Sequence, residues 1–536
     1  MEQMRGAREP DPLDRVGQYQ RSARVSVICC VSVPGKLTRA KPDLRTVTRA
    51  LAYLVGSICL LYPVLSTPVI ADDFLNPFSQ TADGGSGLPA AVAYGWRGST
   101  EGGSFRIVGT TVGSAFNWLW LAVSADLDIS MATIYAVTKF VILIMCAASL
   151  AGFWRVASRE HGRGISFWNA LVITSLALFG TLQLHGLWSN DPVGSYPLAG
   201  YASAALGFAV LTCAVLANRR ESWGSFALGT AVALVAVAYY EINIGAVLGS
   251  AVILAIGCWM RRKDHRSLVM HLTRSAIFLG VPALLVLYGR TVNGSNTVTY
   301  GGTEIRLSGA PRAFALGVVG SMPGAAWRLS DRQLGGRLRL VFLVFGIATF
   351  LALLLKWWAQ TSDLRTESTS DNRQRPGQIS VVLAVVIYAC FAIGLQAITE
   401  KVQDEMLSLG YVYTFYAMTS CAIALGLAVA GQTLYLRRCS AAWRILLAAG
   451  AVSFLVIQST VNWRLSEKMN VAYSPNVRLL NSFDGDVGSA RRCQALDAWS
   501  AIPWPAYYRE GMTDGLDKAY RYYFGEPFCP GVAANG

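Results

Sequence analysis

Residues 243–260 read NIGAVLGSAVILAIGCWM, and residues 261–263 are Arg-Arg-Lys. A helix of this length is about 27 Å long, close to the ~30 Å of hydrocarbon in a bilayer. Because lipid offers the backbone no hydrogen-bond partners, an uncharged run of this length has to be helical there. The run and its basic end predict a helix that crosses a membrane and ends on the cytoplasmic side.

The same pattern recurs along the chain. Of the 536 residues, 53% are hydrophobic and 15% are charged, whereas soluble proteins carry about 25% charged residues. We predict an all-α polytopic membrane protein with about eleven spans. They lie near residues 48–66, 131–153, 166–187, 197–217, 224–240, 243–260, 268–288, 339–358, 378–397, 411–435 and 442–461.

The distribution of basic residues predicts the orientation. The net charge is +14, and basic residues cluster in the first 50 residues and then between alternate spans. The later clusters lie at 155–163, 219–220, 261–266, 365–375 and 437–438. By the positive-inside rule the N-terminus is cytoplasmic, and an odd number of spans places the C-terminus outside. Because the charge follows topology, we predict a lipid bilayer as partner and no nucleic acid.

Three parts of the chain follow from this map. Residues 1–47 are predicted to be a mobile cytoplasmic extension, residues 48–461 the transmembrane domain, and residues 462–536 a small extracytoplasmic domain. The first and fourth outside loops, 67–130 and 289–338, are long. Their partly apolar stretches are too short or interrupted to cross, and we predict helices lying in the membrane interface. These stretches are 88–94, 114–123 and 313–327.

The cysteines fit the predicted compartments. Six of the eleven lie in predicted spans, and three lie in predicted cytoplasmic segments. The two that remain, Cys493 and Cys529, fall in the outside tail, where an oxidising compartment permits a disulfide. We therefore predict that they are bonded to each other.

Asp72 and Asp73 are the sharpest local feature, directly after the first span. Two adjacent carboxylates at a membrane surface repel each other and are costly to dehydrate. Such a pair can act as a base toward an acceptor hydroxyl or as a cation ligand. The alternative is structural, since Asp often caps a helix.

Basic residues in both long loops are candidates for binding phosphate. Arg97 and Arg106 flank a Gly-rich turn in the first loop, and Arg290 and Arg306 belong to the basic second loop. Guanidinium groups bind phosphate oxygens strongly and stabilise the charge of a leaving phosphate. Binding of anionic lipid headgroups is the alternative for the same residues.

A few ionisable residues lie in or beside the spans. His185 and Glu241 are predicted at the outer surface, level with the Asp pair, and are candidates for substrate binding. Lys139 lies inside the second predicted span, where it either snorkels to the surface or pairs with a carboxylate. Asp484-Gly485-Asp486 imitates a metal motif, but its predicted position outside favours a surface turn.

The acidic pair and the two long loops resemble the GT-C superfamily of polytopic membrane glycosyltransferases. Members carry an acidic motif at the start of the first outside loop and a second long outside loop after the seventh span, as this chain does. The adjacent pair Asp72-Asp73 resembles the Asp pair of actinobacterial arabinofuranosyltransferases and of bacterial O-antigen glucosyltransferases. The large carbohydrate-binding tails of some arabinosyltransferases have no counterpart in the last 75 or so residues here.

The resemblance implies an inverting transfer of a hexosyl or pentosyl residue on the extracytoplasmic side of the plasma membrane. The donor would be a polyprenyl-phosphate sugar and the acceptor a hydroxyl of a cell-envelope glycan or glycolipid. One Asp of the pair would be the general base, with Asp72 preferred. The need for a divalent cation stays open, and no other cofactor is expected.

Two other classes compete with this interpretation. A transporter or flippase of lipid-linked sugars would need polar residues near the bilayer midplane and often carries internal repeats. An O-antigen ligase or polymerase would rely on basic residues in a late outside loop and would not need the acidic pair.

Overall fold

The computed structural model describes residues 44–101, 106–159, 165–187, 191–195, 197–293, 304–327, 375–406, 412–436, 441–502 and 506–530. The chain divides after Leu51 into two units, Met1–Leu51 and Ala52–Gly536. Of the first unit only 44–51, about two helical turns, is described. The contacts reported below all lie within the second unit. Most of the predicted extension 1–47 and the predicted span 339–358 lie outside the described residues.

The described residues are overwhelmingly helical. In chain order the helices are α1 (Leu44–Leu65), α2 (Ala71–Gly84), α3 (Leu88–Glu101), α4 (Ile107–Leu127), α5 (Met131–Arg159), α6 (Phe167–Thr181), α7 (Ser203–Arg220), α8 (Trp223–Tyr239), α9 (Ile244–Met260), α10 (His265–Asn293), α11 (Ala310–Ser321), α12 (Arg375–Ala397), α13 (Glu400–Glu405), α14 (Phe415–Leu436), α15 (Ala441–Ala472), α16 (Ser474–Leu480), α17 (Ser489–Ser500) and α18 (Ala506–Phe524). A π-helical turn, Leu198–Ala202, precedes α7, and a 3-10 turn, Glu241–Asn243, precedes α9.

Nine helices among the described residues are long and apolar enough to cross a membrane. Eight of them match predicted spans: α1, α5, α7, α9, α10, α12, α14 and α15. Two further predicted spans are the shorter apolar helices α6 and α8. The chain is therefore a multi-pass helical membrane protein, as predicted, while its orientation stays a prediction.

The ninth such helix, α4, lies in the first predicted outside loop, where only a short interfacial helix was expected. It has 21 residues, and both of its halves contact residues near the ends of other helices. Near its start, a Cβ on Gly109 would overlap the carbonyl of Tyr239, the last residue of α8. Near its end, the indole nitrogen of Trp120 donates to the Thr138 hydroxyl, 3.2 Å away in the second turn of α5. One contact is with the end of α8 and the other with the start of α5. The expected length of this helix was therefore wrong. Its placement in the membrane interface stays a prediction.

The helix ends gather in two groups, as the alternating charge pattern predicts. One group, which we call the Asp73 end, holds the ends of α1, α8 and α15 and the starts of α5, α7 and α14. Side-chain contacts join these ends: Ser66–Ser466, Thr67–Lys139, Tyr239–Leu198 and Tyr240–Thr414. At the opposite end Arg261, after α9, pairs with Glu221, after α7.

The segment after α6 leaves the helix earlier than the predicted span 166–187. The helix ends at Thr181 because side-chain amides replace the helical hydrogen bonds of the next residues. The Leu182 carbonyl accepts from Gln458 at 2.9 Å and from Asn462 at 2.8 Å, and the Leu184 amide donates to Asn462 at 2.9 Å. Non-helical backbone is tolerated in a membrane protein where it is buried and bonded in this way.

The C-terminal segment shares a core with the first loop. Helix α15 runs through the boundary predicted at residue 462 and ends at Ala472. Beyond it, Trp499 and Tyr520 of the tail pack in one cluster with Phe74 and Phe78 of α2. The tail therefore packs against α2, the helix that carries the Asp pair.

The disulfide Cys493–Cys529 closes this tail, with Cα atoms 5.0 Å apart and a sequence separation of 36. A closed loop of that length removes unfolded-state entropy worth about 3–4 kcal/mol. We expect the double substitution Cys493→Ser, Cys529→Ser to lower the Tm, measured by thermal unfolding of the purified protein in detergent. Cys390→Ser, at an exposed free cysteine, should leave the Tm unchanged. Equal Tm values for the double variant and the wild type would contradict this account.

Candidate active site

The Asp pair begins α2 from a strained backbone. Ala71 has φ of +53°, a left-handed conformation that costs an L residue about 1–2 kcal/mol. Such strain persists only where the surroundings hold it, and the flanking side chains of Ile70 and Phe74 are fully buried. Asp72 and Asp73 then occupy the first turn, where the helix N-terminus stabilises negative charge. Both carboxylates therefore lie at the end of α2 where the helix backbone favours negative charge.

Asp73 is bonded to α5. The Tyr135 hydroxyl donates to Asp73 Oδ2, and its oxygen lies 3.3 Å from the Gly194 carbonyl oxygen. The Tyr135 ring is 1% exposed and packs edge-on against Trp120, with ring centroids 5.1 Å apart. Tyr135 therefore links the first loop to the turn before α7.

Lys139 lies one turn after Tyr135 on α5, and its side chain is inside the protein rather than snorkelling. It is 1% exposed, and its Nζ contacts Thr67 Oγ1 at 2.5 Å and lies 4.5 Å from the Tyr135 ring centroid. Its electrostatic partners are Asp73 and Asp191. These two carboxylates attract a positive charge on Lys139, which offsets part of the cost of burying it.

His185 and Asp191 form a buried dyad beside this lysine. The two Asp191 oxygens accept from the His185 amide at 2.7 Å and from the Val193 amide at 3.0 Å. His185 Nδ1 lies 3.1 Å from Asp191 Oδ1, and both side chains are 0% exposed. A carboxylate only accepts, so Nδ1 carries a proton, and Nε2 has no hydrogen-bond partner among the described residues. The ring packs edge-on against Tyr416.

Asp73, Lys139 and His185, which were singled out separately in the sequence, therefore meet through Tyr135 and Asp191. Sequence reasoning missed these two connecting residues. Tyr135 carried a signal, because it is four residues before Lys139 and so faces the same side of the helix. Asp191 carried a weaker one, as an acidic residue in a short loop without Lys or Arg.

Gln183 was also missed. It is fully buried, and its amide nitrogen donates to the carbonyls of Gly320 and Met322, each at 3.0 Å. Its amide oxygen accepts from the backbone of Gly324 and Ala326. One side chain thus fixes the segment after α6 to the end of α11, the helix of the second long loop.

Arg106 and Glu241 pair with each other and not with the Asp pair. The guanidinium makes two 2.8 Å bonds to the two carboxylate oxygens and lies 4.2 Å from the Tyr240 ring centroid. This fork holds the start of α4 against the start of α9. Glu241 therefore largely balances the positive charge of Arg106, the residue that was a candidate for binding phosphate.

The other candidate arginines differ in their surroundings. Arg306 binds Glu400 at 2.9 Å and also Asp404, in a short antiparallel bridge between residues 304–306 and 398–400. Arg97 is exposed on α3 and forms no ion pair with a described residue. The side chain of Arg290, near the end of α10, lies outside the described residues.

The stability of the bridge between residues 304–306 and 398–400 is expected to depend on pH through Glu304. The hydrogen bond with Glu400, and then repulsion from it, raise the pKa of Glu304. A raised pKa means that the folded bridge holds a proton more tightly, so this stabilisation exists at low pH and is lost as the pH rises through the folded pKa. We expect Glu304→Gln, which keeps a donor at every pH, to raise the Tm at pH 7.

The gain from Glu304→Gln should shrink as the pH falls toward about 4.3, where glutamates protonate. Glu526→Gln removes an exposed carboxylate that attracts Arg492, so its effect at pH 7 should be a small decrease in Tm. Thermal unfolding in detergent at a series of pH values measures both. If Glu304→Gln raises the Tm by the same amount at pH 4 and pH 7, Glu304 does not hold a proton in its hydrogen bond with Glu400.

No group of three or more His, Cys, Asp or Glu side chains that could hold a metal occurs among the described residues. In the Asp484-Gly485-Asp486 motif, Asp484 Oδ1 accepts from the Asp486 amide at 2.8 Å, which is the geometry of a surface turn. One oxygen of the Asp484 carboxylate is thus used in a local turn.

No protein-family model matches the chain, and no curated protein sequence matches it. Function is therefore inferred from the chemistry of the acidic pair and its neighbours.

Proposed function

We propose that the chain is a membrane glycosyltransferase that moves a sugar from a polyprenyl-phosphate donor to an acceptor hydroxyl, with Asp72 as the general base. One observation supports this most. Asp73 is bonded to Tyr135 and balanced by Lys139, while the half-buried Asp72 beside it forms no hydrogen bond or ion pair with a described residue. One carboxylate is thus committed to the fold, and the other is available to an incoming hydroxyl.

In the reaction we propose, the acceptor oxygen attacks the anomeric carbon while its proton passes to Asp72. The bond between that carbon and the phosphate oxygen breaks, its electron pair stays on the phosphate, and polyprenyl phosphate leaves. Attack opposite the leaving group inverts the anomeric configuration. Since phosphate departs as a stable anion, no general acid is needed.

The leaving phosphate would need a cation. Of the three candidate arginines with described side chains, Arg97 alone is outside an ion pair with described residues, and it follows the exposed Trp96 on α3. An aromatic ring beside a cation is typical of a membrane interface, where the phosphate of a lipid donor lies. We therefore assign the phosphate contact to Arg97, with Arg106 and Arg306 acting mainly in structure.

A flippase or transporter of lipid-linked sugars is the second candidate, because the buried group of Lys139, Asp191 and His185 is of the kind that transporters carry. The two candidates differ in whether the sugar–phosphate bond is broken. Purified protein in liposomes, given polyprenyl-phosphate arabinose, mannose, glucose and galactose with envelope glycan acceptors, separates them. Release of polyprenyl phosphate with a new, inverted glycosidic bond supports the transferase, and donor that crosses the bilayer intact supports the flippase.

A further inference from the structure

A cavity of about 160 Å³ lies at the Asp73 end, apart from the acidic pair. It is bounded by the last turn of α4, by the turn that leads into α5, and by the chain that follows α16. The polar residues that line it are two aspartates, one asparagine and two serines: Asp128, Asp484, Asn481, Ser124 and Ser130.

The floor of the cavity is apolar and belongs to a core shared with the Asp pair. Leu480 and Phe483 line it and are 3% and 2% exposed. Both pack in the same hydrophobic cluster as Phe74 and Tyr135, which contact or adjoin Asp73. The cavity is therefore attached rigidly to the element that carries the proposed base.

The two aspartates lie in defined turns of the backbone. The Asp484 carbonyl accepts from the Tyr520 hydroxyl at 2.8 Å, and its Oδ1 accepts from the Asp486 amide. Asp128 ends α4 with φ of +53°, in the left-handed region that Asp tolerates better than most residues. Ser130 bonds to Thr133 at the start of α5. Asp484 and Ser130 are thus held by local hydrogen bonds, which reduces the ordering cost of binding a ligand to them.

The chemistry of the lining selects the class of ligand. Two carboxylates repel phosphate, and the polar rim disfavours a wholly apolar ligand. Only two carboxylates line the cavity, and no metal-binding group of three or more residues occurs in the described parts of the chain. A neutral sugar fits, since its hydroxyls donate to carboxylates and exchange bonds with an amide, while its C–H face rests on an apolar floor.

We infer that this cavity binds one sugar residue of the acceptor glycan, away from the hydroxyl that is attacked. This inference rests on the proposed function, because it assigns the sugar to the acceptor. It predicts that acceptors extended by further sugar residues have a lower KM than a single sugar. The site would hold the glycan against the α4–α5 turn while its terminal hydroxyl meets Asp72.

Two substitutions remove the carboxylates and spare the fold. Asp128→Asn keeps a residue that tolerates the left-handed backbone, and Asp484→Asn keeps an acceptor for the Asp486 amide. Asp514→Asn, in an exposed ion pair with Lys518 on α18, is the matched control. The readout is saturation-transfer NMR of the full chain in nanodiscs, with disaccharides of mannose, glucose, galactose and arabinose as probes and no donor present.

We expect at least one disaccharide to bind the wild type and the control, and the double variant to bind it about tenfold more weakly. If no probe binds the wild type, or if the double variant binds as tightly as the wild type, the inference is overturned. Because no donor is present, this result is independent of transfer. Binding that depends on Asp128 and Asp484 in a protein that never transfers sugar would overturn the transferase and leave the sugar site standing.

Discussion

Replacing Asp72 by Asn is expected to lower the kcat of sugar transfer by about 10²–10⁴-fold, the usual contribution of a positioned general base. Asn has the same shape and cannot take the proton of the acceptor hydroxyl. Asp72 has no hydrogen bond or ion pair with a described residue, so the fold should not depend on its charge. The measurement is transfer of labelled sugar by purified protein, alongside its Tm.

Two companion variants make that result specific. Asp83→Asn removes an exposed carboxylate from the same helix, α2, and should leave both kcat and Tm unchanged. Asp73→Asn should lower both, because it weakens the contact with Tyr135 and removes a countercharge of Lys139. Full activity of Asp72→Asn together with a large loss of kcat, at unchanged Tm, in Asp73→Asn would transfer the role of base to Asp73.

Replacing Lys139 by Met is expected to destabilise the protein by about 1–3 kcal/mol, because it removes the positive charge that attracts two carboxylates inside the protein. The side chain is 1% exposed, and its loss removes a positive charge that attracts both Asp73 and Asp191. Met fills a similar volume, so the effect reports charge more than packing. Thermal unfolding in detergent should show a lower Tm, with activity lost in parallel as Asp73 shifts.

The matched control is Lys518→Met, which breaks an exposed ion pair. Lys518 and Asp514 are 49% and 44% exposed, and such surface pairs contribute about 0–1 kcal/mol. The Tm of Lys518→Met should therefore lie close to that of the wild type. Equal Tm values for the two Met variants would show that Lys139 does not balance a buried acidic group.

Much of the fold follows from local sequence, because a helix in lipid must satisfy its own backbone. Runs such as 243–260 therefore predict α9 and its neighbours directly. The early end of α6 does not follow, because it depends on Gln458 and Asn462, which lie nearly 300 residues away in the chain. The length of α4 was also missed, since its polar residues lower the hydropathy of a helix that packs on other helices.

The candidate site could likewise be predicted only in part. Unusual residues such as Asp73, Lys139 and His185 are visible in the sequence, because charged groups are rare in apolar surroundings. Their partners are not visible, since pairing depends on which helices become neighbours. Arg106 and Glu241, 135 residues apart, were expected to meet a substrate, and the structure pairs them with each other. The disulfide could be predicted because only two cysteines lie in the tail that the charge pattern places outside.

The central claim is that this chain breaks the sugar–phosphate bond of a lipid-linked donor with the help of Asp72. Its most direct test is a single-turnover reaction in nanodiscs, with labelled polyprenyl-phosphate sugar and a glycan acceptor, run with the wild type and Asp72→Asn. The account predicts label in the acceptor with the wild type and almost none with the variant, although both are folded. Label that moves to the acceptor equally fast in both proteins, or that stays on every donor tested with the wild type, would contradict it.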